Sequence, residues 1–238
     1  VTREREIQRR MQQQDRLAAV GQMAAGIAHD FNNILAVILL YAEMVLNLAD
    51  LNPRVRERML IIAQQCRRAS ELIQQILDFS RKSVLERQAM DLLPFLKEQV
   101  KMLERTLPEN IKIVLEVGLG PYIIEADPTR MQQAMMNLAL NARDAMPEGG
   151  NLSIRAYEMR GETGVQCVTC GQVTEGDWIC IAVEDSGVGI AQKDLPYIFE
   201  PFYTTKEPGK GTGLGLAQVY GIAKSHEGHV HVSSSMAG

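Results

Sequence analysis

Residues 209–216 read Gly-Lys-Gly-Thr-Gly-Leu-Gly-Leu, and this stretch leads directly into a predicted helix. A glycine-rich loop that ends at a helix N-terminus presents backbone N–H groups to phosphates. The stretch lacks the Gly-x4-Gly-Lys-[Ser/Thr] pattern of the P-loop. Its glycine spacing differs from the Rossmann fingerprint, and no strand leads directly into it. The stretch therefore predicts a phosphate site outside both of these folds.

The sequence around this loop alternates predicted helices and strands, which is typical of an α/β sandwich with one mixed sheet and helices on one face. Asp91 and Asp127 are predicted N-caps of helices over Leu92–Thr106 and from Pro128 to about Met146. A last helix is predicted from Gly215 to about Ser225. The predicted strands are Ile111–Val117, Tyr122–Glu125, Leu152–Tyr157 and Trp178–Glu184, with a final strand starting over His229–Ser233.

The first 90 residues differ in composition, because they contain only 2 of the 19 glycines of the chain. Apolar residues recur there at alternating spacings of three and four, the a/d pattern of a heptad repeat. The positions of this seam are Leu17, Val20, Ala24, Ile27, Phe31, Ile34, Ile38, Tyr41, Val45 and Leu48. A turn at Asp50–Pro53 precedes a second predicted helix, whose seam continues from Val55 to Ser80.

Two such helices form an antiparallel hairpin that buries only one side of each helix. We therefore predict that two copies of the chain form a four-helix bundle. The predicted domains are residues 1–88, a coiled-coil entry and helical hairpin, and residues 89–238, the α/β sandwich.

Composition and charge exclude several classes of protein. The 238 residues carry 25 basic and 29 acidic side chains, a net charge of −4, which argues against a nucleic-acid binder. The longest apolar run is too short to span a bilayer, and the charged start is no signal peptide. Four cysteines make no disulfide scaffold in a chain of this length, so we expect a cytoplasmic protein.

The first cluster of side chains suited to catalysis comprises His29, Asp30 and Asn33. His29 lies between two seam positions of the first helix and therefore points outward, and Asn33 lies one turn further on the same face. Asp30 could accept a proton from one imidazole nitrogen and raise the nucleophilicity of the other. The alternative is an ordinary solvated polar face.

Two further clusters fall in the second half of the chain. Asn137 and Asn141 share one face of an apolar helix, where amides are costly unless they are paired. Their oxygens would suit Mg²⁺, and buried capping amides are the alternative. Asp185 ends a strand and precedes Gly187 and Gly189, an arrangement that suits recognition of a ligand amine or a simple turn.

These stretches, in this order, resemble the sensor histidine kinases of two-component signalling. Ala28–Asn33 is similar to the phosphoacceptor box, in the His-Asp-Phe-Asn-Asn form that is often found in hybrid kinases. Asn137 and Asn141 resemble the N box, and Asp185–Gly189 the first glycine box. Phe199–Phe202 resembles the F box, and Gly211–Gly215 the second glycine box.

The resemblance implies a role for each matching position. His29 would take the γ-phosphoryl group of ATP, Asp30 would act as its base, and Asn33 would place water for dephosphorylating a partner receiver. Asp185, with Gly187 and Gly189, would hold the adenine. Asn137 and Asn141 would hold Mg²⁺ and phosphate. The positions that would line the phosphates are Gly211, Thr212, Gly213, Leu214 and Gly215, with Lys206 as a lid cation.

The resemblance also implies partners: a second copy of the chain, a response-regulator receiver, and an upstream sensor that this chain does not contain. It further suggests that the final strand is cut short.

A catalytically silent nucleotide-binding scaffold is one alternative to a histidine kinase. A gyrase- or Hsp90-type ATPase is another, but its water-activating carboxylate would be replaced here by the amide of Asn137. Cys167 and Cys170 form a CxxC pair with Cys180 downstream, which favours reduced thiols in a hairpin loop over a zinc site.

Overall fold

The structure is a computed structural model that describes residues 31–48, 50–80, 85–118, 120–159, 167, 176–207 and 211–235. The chain divides into two units, Val1–Ser83 and Val84–Gly238. The predicted domain boundary between residues 88 and 89 stays a prediction.

The first unit is a pair of helices. The described part of α1 covers residues 31–46, and α2 covers Pro53–Ser80. Asn52 caps α2, because its Oδ1 accepts a hydrogen bond from the Arg54 N–H at 2.9 Å, and Pro53 takes the first helical position. An ion pair between Arg67 and Glu43, 2.9 Å long, joins the two helices side by side.

The buried positions of this helix pair have small side chains, namely Ala42, Ala63 and Cys66. Several seam positions remain exposed in the single chain: Phe31, Ile34, Ile38, Tyr41 and Leu48 are each more than 40% accessible. The face that packs within the hairpin therefore lies beside the predicted seam, and the described residues leave the seam itself as an exposed apolar surface.

The described residues of the second unit form two sheets and three helices. A two-stranded antiparallel sheet pairs β1 (Gln88–Asp91) with β3 (Ile123–Ala126). In the second sheet the central β4 (Gly150–Met159) runs parallel to β2 (Ile111–Val117) and antiparallel to β5 (Trp178–Asp185). The helices are α3 (Leu92–Thr106), α4 (Pro128–Ala145) and α5 (Gly215–Ser225).

The core of this unit lies between the three-stranded sheet and helices α3 and α4. Leu92, Leu96 and Leu103 of α3 are completely buried in one cluster with Leu152 and Ile154 of β4. Helix α5 packs on α4 through a smaller cluster of Ala134, Val219 and Ile222. The mixed sheet with its helices is the α/β sandwich that the alternating pattern predicts.

Both predicted helix caps are confirmed. Asp91 Oδ1 accepts a hydrogen bond from the Leu93 N–H at 3.0 Å. Asp127 Oδ1 accepts from the N–H groups of Thr129 and Arg130 at 3.0 and 3.2 Å, at the start of α4. These caps satisfy backbone donors that a helix N-terminus leaves without partners, so α4 begins at a fixed point.

Two predictions differ from the structure. Strand β1 is absent from the predicted strands; only Met90 is buried among its four residues, so its sequence shows no alternating pattern. Residues 229–233, the predicted final strand, form no strand ladder. Their neighbourhood is held by other contacts: the His229 ring packs edge-on against Trp178, and Ser234 Oγ accepts a hydrogen bond from the Ile190 N–H at 2.7 Å.

Candidate functional site

Helix α4 supplies the two amides of the site. Asn137 and Asn141 lie one turn apart on α4, and both are half-buried. Asn137 Nδ2 donates hydrogen bonds to Gln218 Oε1 at 2.8 Å and to the Gly215 carbonyl at 3.4 Å. Because the nitrogen is directed at α5, the Asn137 oxygen is the atom that can serve a cation. Gln218 is a supporting residue that the sequence reasoning did not identify.

The glycine-rich loop packs so tightly that side chains are excluded. A Cβ at Gly215 would lie 3.3 Å from Asn141 Nδ2. Gly213 has a φ of +65°, and a Cβ there would lie 2.4 Å from the Phe202 carbonyl carbon. The Phe202 N–H also donates to the Gly213 carbonyl at 2.9 Å. The glycines therefore bring the backbone against α4 on one side and against residues 202–203 on the other.

The start of α5 suits an anion. Its N-cap residue, Leu214, supplies no side-chain hydrogen bond to the first turn. The N–H groups of a helix N-terminus and the positive end of the helix dipole favour phosphate. Thr212 Oγ1 accepts a hydrogen bond from the Leu214 N–H at 3.4 Å, so this hydroxyl helps to order the loop just before the helix.

The Asp185 turn docks on the C-terminal end of α4. Asp185 Oδ1 accepts a hydrogen bond from the Gly187 N–H at 2.9 Å, and the Val188 N–H donates to the Ala145 carbonyl at 3.0 Å. A Cβ at Gly187 would lie 2.6 Å from Ala145, and Gly189 has a φ of +75°. Both glycines are therefore needed by the turn itself, and the exposed Asp185 is held at the end of β5.

The segment between these two loops is anchored in two places. Tyr203 OH donates to Asp194 Oδ1 at 2.7 Å, and this hydrogen bond is the main reason that the pKa of Tyr203 is raised. Lys206 Nζ pairs with Asp144 Oδ2 on α4 at 2.5 Å. The predicted lid cation is thus in contact with α4, through a carboxylate that the sequence reasoning did not weigh.

Three motifs that are distant in sequence therefore meet along the second half of α4. The glycine-rich loop packs against Asn141, Lys206 reaches Asp144, and the Asp185 turn packs against Ala145. The groups along this part of α4 suit a magnesium–nucleotide complex: they are amide oxygens, exposed backbone donors, a lysine and a carboxylate.

No group of three or more His, Cys, Asp or Glu side chains in the described ranges could hold a metal ion by itself. The oxygens of Asn137 and Asn141 therefore fit a cation that takes its other ligands from phosphates and water. Cys167 is buried, and Cys180 lies in β5, where burial raises the pKa of its thiol. Cys170 lies outside the described residues, so the CxxC interpretation stays a prediction.

The predicted phosphoacceptor pair, His29 and Asp30, also lies outside the described residues. Asn33 lies in α1 and is exposed. Among the helices that the structure describes, none is long and apolar enough to cross a membrane.

Family models match the chain in two separate segments. Residues 19–83 match the His Kinase A (phospho-acceptor) domain, and residues 126–238 match the histidine kinase-, DNA gyrase B- and HSP90-like ATPase domain. The chain is a histidine kinase catalytic core. The first match contains His29, and the second contains every residue assigned above to the nucleotide site.

Named relatives agree with this assignment. The histidine kinase core is 37% identical to the sensor kinase CckA of Brucella abortus over 235 residues, which is 99% of this chain and 25% of the relative. It is 31% identical to the sensor histidine kinase ZraS of Escherichia coli K12 over 230 residues, which is 96% of this chain and 45% of the relative. The chain thus spans between a quarter and a half of these relatives.

Solved structures share the fold of this histidine kinase core. The histidine kinase ThkA, crystallised in complex with its response regulator protein TrrA, is 25% identical. That match covers 96% of this chain and 61% of the solved chain, with a TM-score of 0.59. Full-length ShkA in complex with AMPPNP is 23% identical and has a TM-score of 0.68 over 86% of this chain and 41% of its own, which supports the fold.

Proposed function

We propose that this chain binds ATP along α4 and transfers the γ-phosphoryl group to His29. The convergence of the glycine-rich loop, the Asp185 turn and the two asparagines on one helix carries this proposal. The match of residues 19–83, which include His29, to a phospho-acceptor domain supports this choice of acceptor.

In the proposed complex the Asp185 carboxylate accepts a hydrogen bond from the adenine amine, and Gly187 and Gly189 allow the base to approach. The backbone N–H groups of residues 211–215 bind the phosphates at the start of α5. Asn137 and Asn141 hold Mg²⁺, which neutralises phosphate charge when it is bound.

The transfer step forms a bond between an imidazole nitrogen of His29 and the γ-phosphorus and breaks the bond from that phosphorus to the bridging oxygen. ADP leaves with the electrons of the broken bond. Asp30 accepts the proton from the other imidazole nitrogen, which increases the nucleophilicity of the attacking one. These assignments rest on the motif and on the phospho-acceptor match, since both residues lie outside the described part of the chain.

We propose that the working unit is a homodimer. The exposed seam on α1, which includes Phe31, Ile34 and Tyr41, is apolar and continues the heptad pattern of the sequence. Such a face is stabilised when it is covered by a second helical hairpin, and two copies of the hairpin make a four-helix bundle.

The second substrate is proposed to be the receiver domain of a response regulator, which takes the phosphoryl group from His29 onto an aspartate. The similarity to ThkA, whose crystal structure contains a response regulator, supports this class of partner.

We also propose a receiver phosphatase activity, in which the exposed amide of Asn33 orients the attacking water. Because autophosphorylation of His29 would consume ATP, and because four cysteines without a disulfide scaffold suit a reducing compartment, we propose a cytoplasmic location.

Incubation with γ-labelled ATP tests the proposed function against its alternatives. Acid-labile, base-stable label on the chain is expected for a histidine kinase. Free labelled phosphate with no labelled protein would instead identify an ATPase. Nucleotide binding without either product would identify a silent scaffold and contradict the proposal.

A further inference from the structure

The ion pair between Lys206 and Asp144 connects the lid segment to the proposed phosphate site. Lys206 Nζ lies 2.5 Å from Asp144 Oδ2, and both side chains are about two-thirds buried, with exposed fractions of 34% and 29%. The stem of Lys206 also lies against the glycine-rich loop, because a Cβ at Gly211 would lie 3.0 Å from Lys206 Cδ. The lysine is thus held between α4 and the loop that would bind phosphates.

Asp144 is fixed in the ionised state. Its other oxygen, Oδ1, accepts hydrogen bonds from Arg143 at 2.7 Å and 3.0 Å. Burial of the carboxyl would raise its pKa, but the hydrogen bonds and charges of Lys206 and Arg143 outweigh burial and lower the pKa. Near neutral pH the carboxylate is therefore negatively charged and can pair with the lysine.

We propose that Asp144 is a positioning residue that competes with the γ-phosphate of ATP for Lys206 and thereby lowers the affinity for ATP relative to ADP. This inference rests on the proposed nucleotide site. A nucleotide with a γ-phosphate draws Lys206 away from Asp144 and must break the ion pair. ADP lacks that phosphate, so Lys206 returns to Asp144 after transfer. The restored ion pair contributes nothing to the affinity for ADP.

The competition follows from the charges that surround the lysine. If Lys206 contacted a carboxylate and a phosphate at once, it would bring the two anions close together, and their mutual repulsion would offset part of the attraction. Arg143 already neutralises part of the Asp144 charge through two hydrogen bonds. When Lys206 leaves, Asp144 therefore still has Arg143 as a cationic partner, which makes the exchange reversible.

The test is calorimetric titration of the full chain with a non-hydrolysable ATP analogue and with ADP, for the wild type and Asp144→Asn. We expect the variant to bind the ATP analogue about three- to fivefold more tightly, the upper range for a partly exposed ion pair, and ADP within about twofold of the wild type. In a Lys206→Met background the Asp144→Asn substitution should change neither affinity.

Glu227→Gln is the matched control. Glu227 forms an exposed ion pair with Arg87 in the same unit, and neutralising it should leave both affinities unchanged. Thermal unfolding of each variant establishes that it is folded before it is titrated.

Weaker binding of the ATP analogue by folded Asp144→Asn would overturn the inference, because Asp144 would then support phosphate binding. An equal gain in affinity for the ATP analogue and for ADP would also overturn it, as would a gain in affinity that persists in the Lys206→Met background. In both cases the removal of one negative charge near the phosphates would explain the result. These results would leave the proposed function intact if the wild type binds ATP. Absence of nucleotide binding by the wild type would overturn the proposed function together with the inference.

Discussion

At the scale of single residues, the sequence identifies the chemical groups but misses the residues that hold them in place. Asn137, Asn141, Asp185 and the glycines were all predicted from motifs. Gln218 was not, because its contact with Asn137 spans 81 positions and only the fold brings the two together. Asp144 lies three residues after Asn141, yet its partner Lys206 is 62 positions away, so neither spacing nor composition could pair them.

Asp185→Asn should weaken ATP binding by roughly ten- to hundredfold. The charged acceptor for the adenine amine is lost, and a charge-assisted hydrogen bond contributes about 1.5–3 kcal/mol. The turn should survive, because Asn retains the Oδ1 acceptor that Gly187 uses. Calorimetry measures the change, with Asp177→Asn, an exposed position at the other end of β5, as the matched control. Equal affinities for wild type and Asp185→Asn would mean that Asp185 is only a turn residue.

Asn33→Ala should slow dephosphorylation of a phosphorylated receiver by at least tenfold and leave autophosphorylation nearly intact. Orienting a water needs the amide, whereas transfer from ATP to His29 needs a base and no water. Both rates are measured on one preparation. Asn47→Ala, an exposed asparagine further along the same chain segment, is the control. A parallel loss of both activities, or full phosphatase activity, would refute the water-positioning role.

At the scale of elements, local signals predict most of the second unit. The caps Asp91 and Asp127 place the starts of α3 and α4 correctly, because a cap acts on backbone donors within three residues of itself. Strand β1 was missed, since four residues with one buried side chain show no period, and its pairing partner β3 lies more than 30 residues away. The final strand was wrong because side-chain contacts to Trp178 and Ile190, and not a ladder, hold that segment.

The continuous heptad seam predicts that the entering helix controls the balance of kinase and phosphatase activity. Insertion of one residue after Gln13 rotates the upstream segment by about 100° relative to His29 and should shift the ratio of the two rates. Insertion of seven residues restores the heptad phase and should return the ratio toward the wild-type value. The ratio is measured for each length from one to seven. A ratio that does not vary with insertion length would exclude helical coupling.

At the scale of the whole molecule, the two units divide the proposed reaction. The unit Val1–Ser83 contains the proposed phosphoacceptor and the exposed seam, and the unit Val84–Gly238 contains the proposed nucleotide site. A substitution of His29 should therefore abolish phosphoryl transfer and leave the affinity for ATP close to unchanged. The change in glycine content predicts two domains with a boundary between residues 88 and 89, because helix breakers are excluded from a long hairpin and common in a loop-rich nucleotide site.

The most direct measurement is the mapping of the phosphoryl group after incubation with γ-labelled ATP, for the wild type and His29→Gln side by side. We expect acid-labile label on the peptide that contains His29 in the wild type and none on the variant. The variant should still bind ATP with close to wild-type affinity, because the nucleotide loops lie in the other unit. Retained label on His29→Gln, or wild-type label on a different peptide, would contradict the assignment of His29 as the phosphoacceptor.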